Sequence, residues 1–76
     1  MNNERRERLR SVISALNDAL DAVNDVRDEE MDAFDALPDN FQESERGMSM
    51  QDAADSMEDA GDRISEAIDS LEDAIT

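Results

Sequence analysis

The chain has 76 residues and contains no cysteine, histidine, lysine, tyrosine or tryptophan. Without cysteine it cannot form disulfide bonds, and without cysteine and histidine it lacks the usual ligands of structural zinc; these are the two devices that commonly stabilise small domains. Nucleophilic and general-base catalysis draw mainly on residue types that are missing here. We therefore expect a protein that is not an enzyme, with no catalytic residues, no metal and no cofactor. We also expect it to gain stability by self-association, as a homo-oligomer.

Positive charge is scarce as well. Seven arginines stand against 22 aspartates and glutamates, which gives a net charge of −15. Such a surface repels phosphate backbones and anionic membranes, so we expect neither direct nucleic-acid binding nor membrane binding. No run of apolar residues is long enough for a transmembrane helix or for the core of a secretory signal. The sequence therefore predicts a cytoplasmic protein.

Glycine and proline are rare, and apolar residues recur at helical spacing along nearly the whole chain. The first apolar stripe begins at Leu9 and alternates steps of three and four, with a flanking column one position further on. Asn2 and Asn3 are good N-cap residues, and Pro38 disfavours a helical conformation in the residue before it. These signals predict a first helix over residues 4–37.

The apolar residues of the second half repeat every seven residues, which is typical of a coiled-coil helix. They form three columns: Met50, Met57, Ile64 and Leu71; Ala53, Ala60, Ala67 and Ala74; and Ala54, Gly61, Ile68 and Ile75. The pattern predicts a second long helix that ends near residue 75.

The start of this second helix has two interpretations. It could begin near Asn40, which has Glu43 three residues later, as in a capping box. Alternatively, a short helical turn could end at Gly47, and the long helix could restart with Ser49 as its cap. We favour the second interpretation, with a linker over 38–48 and a helix over 49–75.

Because the connection is short, we expect the helices to fold back as an antiparallel hairpin, a single all-α domain over residues 1–76.

Each apolar stripe covers about three of every seven positions, whereas the seam between two helices covers only two. A third column, with Ile13, Leu20, Ile68 and Ile75, would then stay exposed in a monomer. We therefore expect two hairpins to pair into a four-helix-bundle dimer. The expected interface residues are Ile13, Leu20, Phe34, Met57, Ile64, Ile68, Leu71 and Ile75.

Arg27 and Glu30 interrupt the first apolar stripe. Their i, i+3 spacing predicts a partly buried ion pair that fixes the register of the two helices. The alternative is an opening in the packing through which a ligand or partner enters.

Two unbroken rows of acidic residues run nearly opposite the apolar stripes, in alternating steps of three and four. We term them the acidic stripes: Asp18, Asp21, Asp25, Asp28, Asp32 and Asp35 in the first helix, and Asp52, Asp55, Asp59, Asp62, Glu66, Asp69 and Asp73 in the second. Their charge density approaches that of a nucleic-acid backbone. The stripes predict a nucleic-acid mimic whose partner is a basic nucleic-acid-binding protein. The other interpretation is a self-associating structural protein whose acidic surface is only solvated, as in proteins adapted to high salt.

The segment from Leu37 to Gly47 reads Leu-Pro-Asp-Asn-Phe-Gln-Glu-Ser-Glu-Arg-Gly, and Met50 and repeated Ala-Asp and Leu-Glu-Asp-Ala units follow it. In these features residues 30–76 resemble small acidic helical-hairpin proteins of bacteriophages and mobile elements, whose function is unassigned. The resemblance implies a phage setting in the cytoplasm of a host cell. Small acidic proteins in that setting often inhibit host nucleases, and they include anti-restriction and anti-CRISPR proteins. The resemblance transfers no active residue to this chain.

Overall fold

The computed structural model describes the whole chain, from Met1 to Thr76. It contains three helices: α1 spans Asn3–Asp35, α2 spans Asp39–Gln42 and α3 spans Glu45–Ile75. There is no strand, and α1 and α3 pack along each other in a rod of 58 × 14 × 13 Å. The radius of gyration is 17.2 Å, well above the ~11 Å expected for a globular chain of this length. The prediction of an all-α helical hairpin is confirmed.

An asparagine cap starts α1. The Asn2 side chain accepts a hydrogen bond from the backbone N–H of Arg5 at 2.9 Å, which satisfies one of the free donors of the first turn. The helix ends at Asp35, slightly before the predicted end at residue 37. Its last turn tightens there, because the backbone N–H of Leu37 donates to the carbonyl of Phe34 at 3.0 Å.

The connection between the long helices contains the one-turn helix α2. The Ser44 hydroxyl accepts a hydrogen bond from the backbone N–H of Gly47 at 3.4 Å, so α3 begins at Glu45 rather than at the predicted Ser49. Gly47 thus lies inside the first turn of α3, and the expectation that it ends a helical turn is wrong. A Cβ at Gly47 would lie 2.6 Å from the carbonyl carbon of Gln42. Glycine is therefore needed for the close approach of α2 to α3.

The seam between α1 and α3 follows a heptad pattern, labelled a to g here so that Ile13 and Ile68 both occupy position a. Every residue at positions a and d is buried or half-buried. In α1 these residues are Arg6, Ile13, Leu20, Arg27 and Phe34 at a, and Leu9, Leu16, Val23 and Glu30 at d. In α3 they are Gly47, Ala54, Gly61, Ile68 and Ile75 at a, and Met50, Met57, Ile64 and Leu71 at d.

The apolar column that remains outside the seam differs from the predicted one. Ile68 is buried, and Ile13, Leu20 and Ile75 are half-buried, so the expectation that these four stay exposed in one chain is wrong. The uncovered column is position g, where Ala60 alone is half-buried and the others are exposed: Val12, Ala19, Val26 and Ala33 in α1, and Ala53, Ala60, Ala67 and Ala74 in α3. In α1, burial of apolar area favours enclosing the larger isoleucine, leucine and phenylalanine side chains of position a and leaving the valines and alanines of position g outside. In α3, size does not separate the two columns, because position a itself contains Gly47, Ala54 and Gly61.

Arg27 and Glu30 both lie in the seam and are half-buried. The Nη2 atom of Arg27 donates to Oδ1 of Asp28 at 3.0 Å, and no ion pair joins Arg27 to Glu30. The predicted i, i+3 ion pair is therefore wrong. An arginine can occupy a seam position because its aliphatic stem covers apolar surface while the guanidinium turns outward, here to an exposed carboxylate.

Candidate acidic interface

Every residue of the two acidic stripes is exposed. Along each stripe the residues alternate between heptad positions f and b. Position f points directly away from the seam, whereas position b is turned toward the flank that carries position e. Each stripe therefore covers the outer edge of its helix and continues onto one broad side of the hairpin.

The residues at position b in the two helices border the same side of the hairpin. In an antiparallel helix pair, the e positions of both helices lie on one side of the seam and the g positions on the other. The surroundings of Gly61, itself at position a, are consistent with this: a Cβ there would lie 3.3 Å from Oδ1 of Asn24 at position e and 3.5 Å from Cδ1 of Leu20 at position a. We term this side the acidic face. It carries Asp21, Asp28, Asp35, Asp55, Asp62 and Asp69 at position b, and Glu58 and Glu72 at position e.

Few positive charges neutralise these carboxylates. The structure contains two ion pairs, Arg10 with Glu7 and Arg27 with Asp28, and both lie within α1. Asp28 is the one member of the acidic stripes that an arginine pairs with, and its side chain remains 66% exposed. No arginine pairs with the other carboxylates of the stripes, and all of them are exposed.

The linear density of negative charge is high. The rod is 58 Å long and carries 22 acidic residues, or about one carboxylate per 2.6 Å of its length. Duplex DNA carries about one charge per 1.7 Å of its axis. Because the stripes lie on helices of fixed rise, the carboxylates form an ordered array rather than a diffuse cloud.

Apart from the acidic face, the chain offers no metal-binding cluster and no deep pocket. No group of three or more histidine, cysteine or acidic side chains could hold a metal ion. None of the helices combines the length and the apolar composition needed to cross a membrane. The two shallow depressions of the surface lie around Val12 and Ala60 at position g, on the side opposite the acidic face.

The residues predicted for the dimer interface lie along the seam within one hairpin. Five of them, Ile13, Leu20, Phe34, Ile68 and Ile75, occupy position a, on the side of the acidic face. Met57, Ile64 and Leu71 occupy position d, next to the exposed g columns, and are half-buried. The sequence pattern assigns Val12, Ala19 and Val26 to the first apolar stripe, whereas the structure leaves them exposed at position g. In α1, the signal that could have identified this column was the smaller size of its side chains compared with those at position a. In α3 that signal is absent, because three of the five residues at position a are glycine or alanine.

No protein-family model, curated protein or solved structure matches this chain. The phage setting that the connecting segment and the α3 repeats imply therefore stays a prediction.

Proposed function

We propose that this chain is a non-enzymatic binding module that occupies the nucleic-acid-binding groove of a basic, nucleic-acid-handling protein. The acidic face, with its two outer edges, would take the place of the phosphate backbone. The observation that carries the proposal is the exposure of every carboxylate of the acidic stripes, with Asp28 alone in an ion pair. Taken with the phage resemblance, the proposal extends to inhibition of a host nuclease in the host cytoplasm, as by an anti-restriction or anti-CRISPR protein.

The arrangement suits recognition of a basic groove for two physical reasons. Aspartate holds its carboxylate close to the helix, so less conformational freedom is lost on binding than with longer side chains. A surface of one sign also steers an oppositely charged partner and accelerates association, in a way that falls steeply with ionic strength.

The proposal includes pairing of two hairpins into a four-helix-bundle dimer. One chain buries only five of its 76 residues, and no side chain in it is fully enclosed. A second hairpin would complete this thin core. Self-association alone, with an acidic surface that is merely solvated, is the second candidate function, and the exposed valines and alanines at position g favour it.

Capture from a bacterial lysate tests the nucleic-acid mimicry. The immobilised chain should retain basic nucleic-acid-binding proteins at low salt, and duplex DNA should release them because it competes for the same groove. A retained protein that duplex DNA does not displace would contradict occupation of that groove.

Neutralising four charges of the second stripe is expected to weaken this binding by roughly fourfold to several hundredfold, since each exposed charge pair contributes roughly 0.2–1 kcal/mol. The variant is Asp52→Asn, Asp55→Asn, Asp59→Asn and Asp62→Asn, and all four side chains are exposed. The dissociation constant for the captured partner is measured at low and at physiological salt, with helicity checked by circular dichroism.

A matched control removes the same number of charges outside the stripes, at exposed positions in the connection and in the first turns of the long helices: Glu4→Gln, Asp39→Asn, Glu43→Gln and Glu45→Gln. This control should bind much more tightly than the Asn variant. Equal binding by the parent chain and the Asn variant at both salt concentrations would leave self-association as the function.

A further inference from the structure

The side of the hairpin opposite the acidic face is formed by heptad positions g and c of both long helices, and we term it the apolar face. Two of its valines are largely exposed, Val12 at 45% and Val26 at 51%. The remaining g positions between residues 12 and 74 are all alanine: Ala19, Ala33, Ala53, Ala60, Ala67 and Ala74. Their small side chains would let another helix approach closely.

Charge is strongly partitioned between the two faces. Of the 22 acidic residues, Asp39 and Glu43 lie between the long helices, and among the other 20 only Glu29 occupies position g or c. Four of the seven arginines lie at these positions: Arg5, Arg8, Arg46 and Arg63. In a chain of net charge −15, this is the one long side on which a second copy can approach without bringing two rows of carboxylates together.

The apolar face is also where the core of the hairpin is incomplete. Half-buried residues at position d, such as Leu16 and Ile64, border it along its length. The chain exposes 5501 Å², against about 4,700 Å² for a typical monomer of its mass.

Its dimensions suit a stable interface. From Arg5 to Ala36 the face is about 46 Å long at 1.5 Å per residue, and the rod is 14 Å wide. It could therefore bury on the order of 600 Å² per chain, close to the ~800 Å² per partner that is typical of stable interfaces.

The face is self-complementary about Ala19. Val12 and Val26 lie seven residues on either side of it. If the α1 helices of two copies pack antiparallel around a two-fold axis at Ala19, Val12 contacts the partner's Val26, and Ala19 contacts the partner's Ala19. In the same register Arg8 lies beside the partner's Glu29, the one carboxylate of the face.

The α3 helices fit the same axis. A Cβ at Gly61 would contact the side-chain ends of both Leu20 and Asn24. We infer from this that Gly61 lies level with about residue 22, and Ala19 with about residue 64. An axis between residues 63 and 64 places Ala60 against the partner's Ala67. The patterns of α1 and α3 therefore give the same position of the two-fold axis along the rod, to within about one residue.

We propose that the apolar face binds a second copy of this chain through this two-fold axis, with α1 antiparallel to the partner's α1. The inference rests on the proposed self-association and specifies its surface and symmetry. Both acidic faces then point outward, so the dimer presents two separate polyanionic surfaces for basic partners.

A single cysteine tests the symmetry, because the chain has no cysteine of its own. Under mild oxidation, Ala19→Cys should give a disulfide-linked dimer on a non-reducing gel, since residue 19 and its copy face each other across the axis. Ala33→Cys is the matched control in the same column. In the proposed dimer, residue 33 and its copy would lie about 42 Å apart along the direction of the helices. This variant should therefore remain unlinked. Cross-linking of Ala33→Cys, or none of Ala19→Cys, would overturn the proposed arrangement.

A charge exchange provides a second measurement. Arg8→Glu should weaken dimerisation by roughly tenfold, because two symmetric ion pairs become repulsive. Adding Glu29→Arg should restore the parental dissociation constant, whereas adding Asp25→Arg, an equal charge change at position f, should not. Equal rescue by both changes would contradict the Arg8–Glu29 contact.

Sedimentation equilibrium, combined with the cross-linking result, distinguishes self-association in general from the specific interface proposed here. A monomer at about 100 μM would overturn self-association as well as this interface. A dimer in which Ala19→Cys stays unlinked would overturn this interface alone. A cross-linked dimer whose Asp-to-Asn variant binds basic proteins normally would refute the mimicry and support this interface.

Discussion

Raising the NaCl concentration from about 10 mM to about 1 M is expected to raise the melting temperature of the hairpin by about 10 °C or more, since the Debye length falls from roughly 30 Å to roughly 3 Å. The reason lies in the acidic stripes. The six acids of the first stripe make five neighbouring pairs and the seven of the second make six, so eleven like-charge pairs lie along the helices. Each such pair costs about 0.2–0.5 kcal/mol at low salt. Only two ion pairs oppose this repulsion.

Thermal unfolding followed by circular dichroism measures this effect, at one fixed chain concentration because a dimer would melt in a concentration-dependent way. The variant with Asp52, Asp55, Asp59 and Asp62 changed to Asn removes four of the eleven pairs, counting the pair of Asp62 with Glu66. It should melt higher than the parent at low salt and respond less to added salt. A melting temperature that is flat or falls with salt would show that repulsion along the stripes does not limit stability.

Gly47→Ala is expected to destabilise the fold by up to about 2 kcal/mol, which is the usual 1–3 kcal/mol cost of overpacking less the ~1 kcal/mol helical preference of alanine. An added Cβ would press on the carbonyl oxygen of Gln42 and would lie 2.7 Å from that of Phe41. Both are backbone atoms, so α2 or the start of α3 would have to move.

Gly61→Ala is the matched control, since Gly61 is also buried and helical. Its added Cβ would meet the ends of two side chains, Oδ1 of Asn24 at 3.3 Å and Cδ1 of Leu20 at 3.5 Å, which can shift by a few tenths of an ångström. The helical preference of alanine should therefore dominate and stabilise the chain by up to about 1 kcal/mol. Chemical denaturation measures both variants. A loss of stability at Gly61 as large as that at Gly47 would contradict the distinction between backbone and side-chain neighbours.

The exposure of the acidic stripes was predictable from local pattern to a large extent. The steps of three and four in the stripes place all their carboxylates on the side of each helix away from the seam, and every one is exposed. The sequence could not show whether Asp55 and Asp62 of α3 lie on the same side of the hairpin as the position b aspartates of α1. That depends on the direction in which the two helices pack and on which columns meet in the seam.

The sequence alone determined the two long helices and the hairpin, and it limited the first cap to Asn2 or Asn3, because periodicity, capping and the short connection act between residues that are close along the chain. The start of α3 was not determined in this way. Only the tertiary structure decided which apolar columns are enclosed, because that choice depends on how much area Ile13 and Ile68 bury against the opposite helix. It also decided the role of Gly47, which depends on contact with the backbone of Gln42, and the partner of Arg27, whose guanidinium turns out of the seam to Asp28. These outcomes depend on interatomic distances set by packing, which the spacing of residue types does not encode.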